Sequence, residues 1–138
     1  MKHEGERAPG KYDAILKAKE LAGYTIRVTS NEKNFPKRYR LAVVDKIQSK
    51  AMDILDLLMM AKEMMPTTKM EYEQRQLYLH EARAAVYSLC TMMEVAANTF
   101  YMDMSKLAFW TELTDKLCYD INLWIEKDKK NFNYFIKE

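Results

Sequence analysis

With 138 residues, 49% of them hydrophobic and 30% charged, the chain has material for one domain with one core and no room for a second. Three glycines and three prolines are too few for the tight hairpins of a many-stranded sheet, so an all-helical fold is expected. Twenty-two basic residues face 20 acidic ones, and the net charge of +2 does not by itself announce a polyanionic partner.

In chain order, residues 1–10 hold Gly5, Pro9 and Gly10 among charges and read as a flexible tail. No apolar run there is long enough for a secretory signal. Helical spacing begins at Lys11, with Tyr12, Ile15, Leu16, Ala22 and Ile26 expected on one side, and ends near Ser30 in a polar turn. Asn34 is placed to cap the next helix and Pro36 to sit in its first turn. That second helix is expected over residues 35–64. Its stripe of Val44, Ile47, Ala51, Ile54, Leu58, Ala61 and Met65 alternates spacings of three and four, as in a helix lying at a shallow angle to its neighbours.

Pro66 stops it, and Thr68 with Glu71 forms a capping box for a third helix. Tyr72, Leu79, Ala82, Val86, Leu89, Met93, Ala96 and Phe100 make its stripe. After a polar break at residues 98–105, with Asp103 or Ser105 as cap, a fourth helix carries Leu107, Trp110, Leu113, Leu117, Ile121 and Trp124 to about Lys129. The connections are short. Sequential helices are then antiparallel neighbours, and the expected architecture is an all-α, up-down-up-down four-helix bundle over residues 11–130, followed by an aromatic extension at 131–138. A second apolar line on helix two (Leu41, Met52, Leu55, Met59, Met60) and on helix three (Leu77, Tyr78, Ala85, Met92) makes the stripes wider than one interior needs, which points to self-association, the alternative being a broad core with ordinary boundary residues.

Chemistry-bearing motifs are scarce. His3 falls in the tail and His80 has no Glu at helical ligand spacing, so no metal or cofactor site is expected. Cys90 and Cys118 lie in apolar helical patterns, as buried thiols of a reducing compartment. There is no phosphate-binding glycine loop and no hydrolase or zinc-protease motif, and no catalytic residue is assigned. The longest apolar stretch, residues 54–61, is interrupted by Asp56 and falls well short of a membrane span, so a cytoplasmic protein without a membrane partner is expected.

Charge distribution says more than net charge. Residues 1–40 carry ten Lys or Arg against five Asp or Glu, and the remainder carries 12 against 15. The densest cluster is Lys33, Lys37, Arg38 and Arg40 around the first interhelical turn, with Tyr39 among them. Such residues pair with phosphates and stack on bases, which makes them the leading nucleic-acid contacts. Lys17, Lys19, Arg27, Arg75 and Arg83 are secondary candidates.

The run Asn34, Phe35, Pro36, Lys37, Arg38, Tyr39, Arg40 and Leu41, followed by Ile47, Gln48 and residues 51–55, resembles the second helix of a four-helix-bundle family. That family comprises the proteins encoded in ribosomal RNA intervening sequences and the accessory variability proteins of diversity-generating retroelements. Looser likeness follows at Glu81, Ala82, Arg83 and Trp124, so that it spans residues 11–129. The resemblance implies a non-catalytic protein that assembles as a pentamer and binds a reverse transcriptase and its template RNA during mutagenic cDNA synthesis. An intervening-sequence-type RNA-binding protein without a polymerase, or a purely structural scaffold, are the alternatives. The aromatic ending lies outside the family pattern, free to dock on a polymerase or to fold back on the bundle.

Overall fold

The computed structural model describes residues 10–136, all of its regular structure helical. Four long helices, α1 (Lys11–Ser30), α2 (Asp45–Glu63), α3 (Lys69–Phe100) and α4 (Met104–Asn131), surround one core, and a short α5 (Asn133–Ile136) follows. Helix α1 packs on α2 and α4, and α3 packs on the same two. The tail expected over residues 1–10 lies outside the described residues except for Gly10, whose N–H donates to the Asp13 carboxylate at 3.2 Å and whose carbonyl starts α1.

The core is built from the expected stripes of α2, α3 and α4: Ile47, Ile54, Leu58, Leu79, Leu89, Met93, Trp110, Leu117, Ile121 and Trp124 are all buried. Met65, at the end of the α2 stripe, is exposed. The face of α1 differs more. Tyr12, Leu16 and Ile26 are exposed, and the buried side is Ala14, Ile15, Ala18, Leu21, Ala22, Thr25, Val28 and Thr29. These residues recur at spacings of three and four, and the alanines and threonines among them let neighbouring helices approach closely.

Two expectations about the first connection are corrected. Asn34 does not cap the second helix: its buried side-chain amide donates backward to the Val28 carbonyl at 3.3 Å, filling one of the acceptors that the end of α1 leaves open. The second helix is also not continuous from residue 35. A 3₁₀ turn (Lys37–Tyr39) leads into a π turn (Arg40–Val44), and regular helix begins only at Asp45. The wide turn leaves Arg40, Leu41 and Ala42 exposed while Val44 and Ile47 still reach the core.

The other caps follow the sequence. Glu71 N–H donates to Thr68 Oγ1 at 3.1 Å, and the Thr68 N–H returns to the Glu71 carboxylate at 3.2 Å. Helix α3 runs on through Phe100 into the expected break and stops at Tyr101, which is left-handed with φ 55° and 91% exposed. Asp103 then caps α4 by accepting from the Ser105 N–H at 2.9 Å.

At the opposite end, Phe132 and Phe135 fold back on Tyr72, with ring centroids 5.8 and 6.0 Å from it. Beside them Arg75 and Asp128, both almost wholly buried, form a bidentate pair: Arg75 Nε to Asp128 Oδ2 at 2.7 Å and Nη2 to Oδ1 at 3.0 Å. Nη1 of Arg75 donates to the Met64 carbonyl at 3.1 Å, closing the end of α2. Its guanidinium also lies 5.6 Å from the rings of Trp124 and Phe132.

Candidate nucleic-acid interface

The end of the bundle formed by the α1–α2 and α3–α4 connections is fixed from inside. Phe35 is buried against Phe100 at 5.5 Å and Trp110 at 6.2 Å, and Tyr39 packs on Phe100 at 4.9 Å. A polar chain lies beneath: the Trp110 indole donates to Thr25 Oγ1 at 2.9 Å, the Thr29 hydroxyl to the Thr25 carbonyl at 2.6 Å, and Gln48 Nε2 to Thr29 Oγ1 at 2.8 Å. Three helices are thereby tied at one level, and the irregular segment between α1 and α2 rests on a rigid base.

On that base Lys33, Lys37, Arg38 and Arg40 are all exposed. The tight turn and the wide turn do not keep them together. Lys37 and Arg40 line a polar recess of about 150 Å³ with Glu32, Asp45 and Gln48, where Arg40 lies 3.9 Å from the Glu32 carboxylate. Arg38 is not among the residues of that recess; its guanidinium lies 4.9 Å from the ring centroid of Tyr39, which lines a second cavity. There Tyr39, Ala42, Val43, Lys46 and Ile47 form one wall of a mostly apolar groove, and Met92, Val95, Ala96, Thr99 and Phe100 of α3 form the other. Lys46, absent from the sequence candidates, joins the cations here. Its position seven residues after Tyr39 was the available signal, since seven residues bring a helix back to nearly the same face.

The secondary candidates are dispersed. Lys19 is exposed on α1, as is Arg27, whose guanidinium lies 6.0 Å from the Tyr24 ring. Lys17 is half-buried and bound to the buried Asp120 carboxylate at 2.7 Å. Arg83 donates to Asn122 Oδ1 at 2.8 Å and to His80 Nδ1 at 2.9 Å. A guanidinium has only donors, so His80 Nδ1 acts as acceptor, and burial followed by the Arg83 charge holds the imidazole below its ordinary pKa. Arg75 is corrected outright. Its donors are spent on Asp128 and Met64, and it is 3% exposed, so no phosphate reaches it.

Among the described residues no three His, Cys, Asp or Glu converge as a metal site, and no helix is long and apolar enough to cross a membrane. The Cys90 thiol touches Thr114 Oγ1 at 3.2 Å, and burial raises its pKa, which keeps the sulfur protonated. The chain matches no family model, no curated protein and no solved structure.

Proposed function

We propose that this protein is a non-catalytic, cytoplasmic adaptor that binds RNA and a reverse transcriptase, in the manner of the retroelement accessory proteins its second helix resembles. The observation that carries the reading is the basic corner: four exposed cations on one short irregular segment, braced from below by Phe35 and Phe100. Irregular turns of the π type occur frequently at functional sites, where they present side chains that a regular helix would distribute differently. Paired contacts support antiparallel neighbours within an up-down-up-down order: Lys17 with Asp120 and Thr25 with Trp110 run α1 against α4, and Arg75 with Asp128 and Cys90 with Thr114 run α3 against α4. Self-association, as five copies by resemblance, would repeat the corner around an assembly and multiply its phosphate contacts. Exposed Leu41, Met52, Met60 and Leu77 supply apolar surface for it.

The test is RNA binding as a function of salt. Each phosphate contact to a single strand contributes about 0.7 to the slope of log affinity against log salt, so Lys37→Ala, Arg38→Ala and Arg40→Ala together flatten it by about 2. An unchanged slope removes the corner from the interface. Co-purification with the reverse transcriptase encoded nearest the gene separates the adaptor from an RNA-binding protein without a polymerase. Assembly with neither ligand leaves a structural scaffold.

A further inference from the structure

The groove between the π turn and α3 has features that the basic corner alone does not explain. It encloses about 280 Å³ and is lined almost wholly by apolar groups, yet it lies open to solvent at one end of the molecule. Val95, on its rim, is 62% exposed. Where the two walls meet, the rings of Tyr39 and Phe100 are 4.9 Å apart and inclined at 43°, so two different helical segments contribute an aromatic floor. Lys46 lines the groove, and the Arg38 guanidinium lies over the Tyr39 ring at 4.9 Å. Among the described residues neither cation has an ion-pair partner.

We infer that this groove seats an unpaired base of single-stranded RNA, with the flanking phosphates held by Arg38 and Lys46. The inference rests on the RNA-binding reading and adds to it which form of RNA is bound and where. An apolar slot with an aromatic floor accepts the flat face of any base, while cations at its edge match the charge of the backbone on either side. A duplex cannot use it, because the faces of its bases are stacked on one another inside the helix and only base edges, hydroxyls and phosphates are offered outside. Lys37 and Arg40 face the polar recess instead, so they are left to attract the backbone without reading whether it is paired. A helical protein partner would also bury the apolar walls, but it gives no role to an aromatic floor flanked by two unpaired cations.

The experiment compares a labelled single strand of about 12 nucleotides with the duplex of the same sequence, by fluorescence anisotropy at fixed salt. Ala42→Leu fills the groove from an exposed position, and Tyr39→Ala removes half of its floor. Each is expected to weaken single-strand binding about tenfold while duplex binding stays within about twofold. A fluorescent adenine analogue within the strand is expected to be quenched by the native protein and not by Ala42→Leu. Circular dichroism confirms the fold of both variants, and Ala42→Leu carries the test if Tyr39→Ala does not fold. If Ala42→Leu binds single strands as the native protein does while the triple alanine variant of the corner loses them, the groove inference falls and the RNA reading stands. If the native protein binds neither form, both fall. If Ala42→Leu changes only the oligomeric mass, the groove is a protein interface and the inference is overturned.

Discussion

Arg75 shows how a residue's position along a helix can outweigh its chemical type. It lies between Tyr72 and Leu79 at spacings of three and four, on the stripe that faces the core, and Asp128 follows Trp124 at four on the facing helix. Both placements are legible in the sequence. Reading Arg75 as a surface cation missed them, because composition alone does not reveal that two opposite charges on separate stripes will meet. Burial raises the Asp128 carboxyl above its ordinary value, and the Arg75 contacts only partly offset this, so the pair is held by geometry and packing. Arg75→Ala leaves that carboxyl buried without its partner and is expected to cost about 3–5 kcal/mol, read from the urea midpoint. Arg75→Met combined with Asp128→Leu is expected to recover most of the loss, since apolar residues of similar size remove both buried charges together.

At the scale of elements, the boundaries written in short polar motifs were the most legible. Thr68 with Glu71 and Asp103 before α4 follow from side chains that bond to nearby backbone, and the end of α1 at Ser30 from the polar turn after it. The start of the second helix was not legible, because a 3₁₀ turn passing into a π turn shares its residue preferences with an ordinary helix and differs only in which carbonyl each N–H finds. The buried face of α1 was only partly legible: Ile15 and Ala22 are buried as expected, but the exposed Tyr12, Leu16 and Ile26 were scored while Leu21, Val28 and the alanines and threonines between them were passed over. The caps also carry a pH dependence. Bonds from Thr67 and Thr68 hold the Glu71 carboxyl below its ordinary value, and bonds from Ser105 do the same for Asp103. A carboxyl depressed in the folded state gives stability that is complete above its unfolded pKa and is lost as pH falls through its folded one. The urea midpoint is therefore expected to drop as pH falls below about 4, and Glu71→Gln with Asp103→Asn to flatten that drop.

For the whole molecule, the all-helical class and the four long helices follow from composition and from stripes spaced by three and four residues. The division of the basic cluster between a polar recess and an apolar groove does not, since it depends on how residues 37–44 wind. The proposed self-association belongs to this scale, and its test is sedimentation. Met52→Glu with Met60→Glu, both at exposed positions of α2, is expected to reduce the assembly toward the 16.3 kDa of one chain without loss of helicity. The layout of the two ends has a further consequence. Gly10 lies beside Lys127, and Phe135 rests on Tyr72 at the start of α3, whereas the basic corner packs on Phe100 at its finish. At 1.5 Å per residue those two levels are about 40 Å apart. A dye attached at Gly10 or Ile136 therefore sits at the end of the bundle away from the basic corner and leaves that corner unobstructed.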